Sequence, residues 1–251
     1  MAAVIQARVP DTWEGRKVCL YVEERLLLLF QLIHWYSWDL VLRNRERINF
    51  YITTDFATSD KQSADFSFIS VWAYNNNRDW FWVDGVCKKQ LMDANINDLF
   101  RLSQKYQPQS VGIEVTGQQG GFMPWIQDEM IRRNVYFHLA SDNNDNDPGI
   151  RPSTNKMQRF NVTVPWFNAG KVYLPRDMKD HPAVVELVEE LELVCPEGFK
   201  SRNDDGIDTI SMLPLMHAMP PSEIATLTDA GDPMWGDAAN DDESAYSSYI
   251  V

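Results

Sequence analysis

A chain of 251 residues with 44% hydrophobic and 12% aromatic residues can bury one sizeable core with flanking segments, which excludes a wholly disordered protein. Three widely spaced cysteines, Cys19, Cys87 and Cys195, exclude a disulfide framework or a CxxC zinc site and fit a reducing compartment. The net charge of −13 argues against a dedicated sequence-reading DNA-binding module, although residues 218–251 hold seven acids and no Lys or Arg, which leaves −6 for the rest.

Residues 1–10 lack the basic-then-apolar order of a secretory signal. The apolar run 26–42, with LLLLFQLIHWYSW, is broken by His34 and Asp39 and falls short of the roughly 20 clean residues of a membrane helix. It reads instead as a buried or partner-facing helix over 22–45, so that residues 1–47 form an N-terminal helical segment or linker of unknown role. Three stretches rich in β-branched and aromatic residues, 48–57, 66–74 and 80–87, predict an antiparallel meander, with a hairpin turn at Asn75, Asn76 and Asn77. Helix 95–106 and strand 110–115 follow, then helix 122–133 and strand 135–140, giving the order βββαβαβ. The polar run 141–153 is a loop. Beyond it lie a basic helix at 154–160, a strand at 171–174, an amphipathic helix at 182–194 and a last helix opening near Asp205. Residues 218–251 read as an acidic, disordered tail. The α/β order predicts a mixed sheet, antiparallel strands first and parallel strands after, with helices on both faces.

Acids fall where these elements end. Asp55 closes the first strand and Glu114 the strand SVGIE, while Asp204, Asp205 and Asp208 open the last helix, with Asp205 and Asp208 on one face. Carboxylates so placed can hold two hard divalent cations, a pair that supports phosphodiester hydrolysis without a protein nucleophile. Each acid also has a plainer reading. Asp55 suits a strand-end turn, and Asp204 and Asp205 suit a helix cap. Glu114 is harder to dismiss, because an acid after VGI is costly to bury unless paired or metal-bound. His138 and His217 have no partners at ligand spacing, and Trp72, Trp80 and Trp82 read as core rather than as a base-stacking platform. Arg151, Lys156 and Arg159 are candidates for contact with DNA phosphates, or equally a solvated helix face.

Four segments together resemble the nuclease motifs of tailed-phage terminase large subunits, within the RNase H-like nucleases. YITTDFATSDKQSADFSFISVWA is similar to the first motif, with Asp55 as ligand and Asp65 as the following acid, and GIEVTGQQGGFMPWIQDEM to the second, with Glu114. IRPSTNKMQRF and NAGKVYLP resemble the basic helix and strand before the third motif, and NDDGIDTISML resembles its DDxxDA signature, with Thr209 in place of Ala. The resemblance spans 48–216 and implies an RNase H-like domain over 48–217. It implies metal ligands Asp55, Glu114 and Asp205, with Asp208 as a fourth acid and Asp204 as a rival for Asp205. It also implies Mg²⁺ or Mn²⁺ as cofactor and cleavage of double-stranded DNA with little sequence preference. The partners it implies are a packaging ATPase, a small terminase subunit and a portal protein, with no membrane, in the cytoplasm of an infected host cell. No GxxxxGK(S/T) loop occurs, and TGQQGG lacks its Lys and spacing, so no ATPase activity is expected of this chain. The acids alone also permit a junction resolvase or transposase-like nuclease, or a non-catalytic docking module.

Overall fold

The computed structural model describes residues 33–57, 66–115, 122–195 and 198–221. A six-stranded sheet runs through it. Its long antiparallel strands are β2 (Asn49–Asp55), β3 (Ser67–Tyr74) and β4 (Trp80–Lys88). Parallel strands extend it on both sides: β5 (Ser110–Ile113) on β2, and β8 (Val172–Pro175) on β4, with β1 (His34–Tyr36) beyond β8. The order is β1-β8-β4-β3-β2-β5. Two-residue strands form small separate pairs, β6 (Ser141–Asp142) with β7 (Gly149–Ile150) and β9 (Val194–Cys195) with β10 (Gly198–Phe199).

Every residue of β3 is buried, as expected of a strand covered on both faces. Its side chains alternate between two cores. Phe68, Trp72 and Tyr74 pack under α4 (Lys156–Asn168), α5 (Pro182–Glu192) and α6 (Asp205–Ser211). Ile69, Val71 and Ala73 pack under α1 (Asp39–Arg43), α2 (Met92–Tyr106) and α3 (Phe122–Arg133). Trp72, Trp80 and Trp82 are all core, at 3% exposure or less. Their ring nitrogens are satisfied locally where buried deepest: Trp72 Nε1 donates to Thr53 Oγ1 and Trp82 Nε1 to Ser70 Oγ, each at 3.1 Å. Among the described residues no helix is long and apolar enough to cross a membrane.

The N-terminal expectation needs correction. Residues 34–36 form the edge strand β1, not part of a helix over 22–45, and only Asp39–Arg43 is α-helical before a 3-10 turn at Arg45–Arg47. Tyr36 Oη donates to the Trp82 carbonyl and Trp38 Nε1 to the Val83 carbonyl, which ties this segment to β4. A continuous apolar run carries no periodicity to separate strand from helix. The part of that expected helix before residue 33 lies outside the described residues. Residues 135–140 are a second correction. They run beside β5 with strand-like alternation, yet only Leu139 bridges to Val111, so the sheet ends at β5. In the β3–β4 turn the left-handed residue is Arg78 (φ 62°), while Asn75 holds the loop by accepting from the Asp79 backbone N–H. α4 runs two turns beyond the expected 154–160. At the start of the expected tail, Met219 N–H donates to Tyr51 Oη at 2.9 Å and its carbonyl accepts from Asn49, which holds this point against β2. Residues 222–251 lie outside the described residues.

β7 is pressed against the end of β5, and one glycine permits it. Gly149 has φ +113°, and a Cβ there would lie 2.3 Å from Val115 Cγ1. Gly149→Ala should therefore cost about 3 kcal/mol from backbone strain and overpacking together. Thermal unfolding should show a Tm lower by about 6–12 °C.

Candidate metal and nucleic-acid site

Strand register brings the first two acids side by side. β2 and β5 run parallel with Thr54 opposite Ile113, so Asp55 and Glu114 are the next residues along at the same end of the sheet. Glu114 is fixed there by a bridge to Ile150, which also places Arg151, an exposed residue, one position beyond the bridge. α6 packs its start against the same corner. Asp205 is 6% exposed and Asp208 9% exposed, and Asp205 Oδ2 accepts from the Phe66 backbone N–H at 3.1 Å, next to the start of β3.

α4 supplies the counter-charge. A capping box between Asn155 and Gln158 sets its first turn. Lys156 and Arg159 then project one turn apart. Lys156 Nζ pairs with Asp204 Oδ1 at 2.6 Å and with Asp208 Oδ2. Arg159 spans Glu114 Oε2 (3.1 Å) and Asp208 Oδ1 (3.2 Å), and its buried Nε has no hydrogen-bond partner among the described residues. Burial raises the Asp55 carboxyl well above its ordinary range, and Asp208, Asp205 and Glu114 push it further, with Lys156 opposing. Burial likewise raises Asp208 against the pull of Lys156 and Arg159. Lys156 is pulled down by burial, but Asp208 and Asp204 outweigh this and leave it raised.

Comparison of folds finds solved structures similar to this one. The chain superposes on the human cytomegalovirus terminase nuclease domain, Mn soaked, with a TM-score of 0.53 at 11% identity, covering 75% of this chain and 91% of that one. The inhibitor-bound form of the same domain gives 0.51 at 11% identity, over 73% and 88%. The chain has the fold of the terminase nuclease domains. The large terminase nuclease from thermophilic phage G20c with bound zinc is also similar, at TM-score 0.46 and 14% identity over 77% of this chain and 97% of that one. No family model matches the chain, and no curated protein matches it in sequence.

Within this terminase-nuclease fold, Asp55, Glu114, Asp205 and Asp208 come to one corner together with Lys156 and Arg159. Asp204 stands at its rim, with its side chain 39% exposed. Asp65 lies outside the described residues. His138 is exposed on the outer side of 135–140, and His217 pairs at the surface with Asp142, so neither joins the acids. Among the described residues no three acid, His or Cys side chains surround a common point in ligating positions. The donor set nevertheless fits a hard divalent cation, because it consists of carboxylate oxygens whose mutual repulsion two cationic side chains offset only in part. The carboxylates that would have to close on such an ion are those of Asp55, Glu114, Asp205 and Asp208, with Asp204 at the margin.

The helix-capping alternative is not what is observed for Asp204. Asp204 is the N-cap residue but makes no side-chain cap bond. Glu190 of α5 does that work from outside: its two carboxylate oxygens accept from Gly206 N–H (3.2 Å) and Ile207 N–H (2.8 Å). Sequence reasoning missed Glu190. The available signal was an acid inside the apolar stripe Val184, Leu187, Val188, Leu191 of an amphipathic helix. The Thr209 departure from the DDxxDA pattern also has a structural account, since its hydroxyl donates to the Gly206 carbonyl at 2.7 Å and meets Ser70 Oγ at 2.9 Å.

Proposed function

We propose that this chain is a metal-dependent DNA endonuclease of the terminase kind, using two divalent cations, Mg²⁺ or Mn²⁺. The observation that carries the reading is the convergence of Asp55, Glu114, Asp205 and Asp208 from two strand ends and a helix start, at an electrostatic cost visible in the raised Asp55. Packing alone gives no reason to collect four acids in one buried corner. The likeness in fold to terminase nuclease domains, one of them Mn soaked, supports the same reading.

When bound, the cations supply an activated water and neutralise charge developing on the leaving oxygen. The carboxylates of Asp55, Glu114 and Asp205 fix where that chemistry occurs. Asp208 orients Lys156 and Arg159 through its two oxygens. Lys156 has a flexible stem and a side chain 26% exposed, so it can leave its acids and meet a DNA phosphate at the rim, with Arg151 beside it. Arg159 is more deeply held and stays as a fixed positive charge. The substrate is double-stranded DNA, cut with little sequence preference. The partners are a packaging ATPase, a small terminase subunit and a portal protein, and the setting is the host-cell cytoplasm.

The test is cleavage of supercoiled plasmid by the purified chain. Nicking and linearisation should require Mn²⁺ or Mg²⁺ and stop on adding chelator. Metal-independent cutting, or none under any metal, would overturn the proposal, and selective cutting of four-way junctions over linear duplex would turn it toward a resolvase.

A further inference from the structure

The geometry points to Glu190 as a positioning residue for the carboxylates of α6, a helix that it caps from α5. The inference rests on the metal-site reading above. A helix start leaves backbone N–H groups that a nearby Asp would ordinarily bond. In α6 the Asp residues at that start are Asp204, Asp205 and Asp208, the same acids that the site requires. An Asp cannot present its oxygens to a cation while they are committed to its own helix.

Glu190 removes that competition. It is fully buried, at 0% exposure, and reaches Gly206 N–H and Ile207 N–H with one oxygen each. The approach is close enough to need glycine, since a Cβ on Gly206 would lie 3.0 Å from Glu190 Oε2, 3.0 Å from Leu187 Cδ1 and 3.1 Å from Phe68 Cε2. Neighbouring Glu186 accepts from Asn203 Nδ2 at 2.7 Å and so anchors the chain just before the helix. α5 thus grips both sides of Asp204 and Asp205 by hydrogen bonds to residues 203, 206 and 207. With its helix held from behind, Asp205 points toward β3, where it accepts from Phe66 N–H, and Asp208 points toward α4. Burial of an acid without a cationic partner is expensive, and burial pushes Glu190 up to about 8 despite its two N–H donors. The same position filled by Leu would complete the apolar stripe of α5.

The experiment compares the wild type with Glu190→Ala and Glu190→Gln by isothermal titration with Mn²⁺ and by thermal unfolding without metal. Glu190→Ala should bind Mn²⁺ at least about tenfold more weakly, because Asp204 and Asp205 turn back to cap α6. Glu190→Gln keeps one acceptor oxygen and should fall between, at least about threefold weaker. A lowered Tm with wild-type Mn²⁺ affinity in Glu190→Ala would overturn the inference and leave Glu190 as a structural cap only. If Glu190→Ala does not fold, Glu190→Gln decides, and wild-type affinity in it overturns the inference. Absence of Mn²⁺ binding by the wild type is a different result: it removes the metal reading itself, and the positioning role with it.

Discussion

Asp55→Asn should reduce metal-dependent DNA cleavage by roughly 10³-fold or more, equivalent to about 4 kcal/mol of transition-state stabilisation, while leaving the protein at least as stable as the wild type. The two halves of this result come from one geometry. Asp55 is at the end of β2 with Asp208, Asp205 and Glu114 all raising its carboxyl, and burial raises it most. Replacing it with a neutral isostere relieves that repulsion, and a gain of about 1 kcal/mol is typical where a functional group is held against stability. The pH dependence has the same origin. With a folded-state affinity for its proton above the unfolded value, Asp55 contributes stability to the metal-free protein at low pH that is lost as pH rises through the folded-state value. A metal ion takes the place of that proton, so its binding strengthens with pH. Single-turnover cleavage and thermal unfolding at several pH values measure all three. Loss of activity together with a lower Tm would mean that Asp55 serves the fold instead.

Arg159→Met should strongly destabilise the metal-free fold. Arg159 is 12% exposed at its side chain and bridges Glu114 and Asp208, 20% and 10% exposed, from two different elements. Removing one partner from a buried pair leaves the other charges uncompensated, which costs about 3 kcal/mol or more. Tm should fall by about 6–12 °C. Saturating Mn²⁺ should recover over half of that loss, because the cation supplies the positive charge that Arg159 no longer gives. Lys156, with more exposure, should show the same pattern more weakly. An equal deficit with and without Mn²⁺ would show that the bridge acts as a structural staple with no relation to metal.

The parts of this molecule that could be read in advance are those where periodicity and punctuation agree. The strands β2, β3 and β4 are dense in β-branched and aromatic residues and bounded by Asn and Asp, and they lie within one or two residues of where the pattern places them. α3 occupies the expected 122–133. What failed is instructive in the same terms. Residues 34–36 lie in an apolar run with no periodicity, and whether they pair with β8 or continue a helix depends on an edge that only the folded sheet provides. Residues 135–140 have the alternation of a strand, yet ladder pairing is a tertiary event, and a single bridge to Val111 is all that forms.

The site divides similarly. Glu114 stood out in the sequence because an acid after a buried strand is costly, whereas Asp55 suits a strand-end turn and was singled out by the resemblance; the register of β2 on β5 brings the two level. Whether Asp204 and Asp205 cap α6 was not legible, because the first-turn N–H groups of that helix are bonded by Glu190, fifteen or so residues upstream in a different helix. Lys156 and Arg159 were legible as a basic turn but not as partners of the acids. Sequence spacing does not show that α4 and α6 meet across one corner.

As proposed above, Asp55, Glu114, Asp205 and Asp208 hold divalent cations at one corner. Titration of the metal-free chain with Mn²⁺, followed by calorimetry in the absence of DNA, tests it most directly. The wild type should bind saturably, and Asp55→Asn at least about tenfold more weakly. Equal binding by the two proteins, or no saturable binding by the wild type, would contradict it.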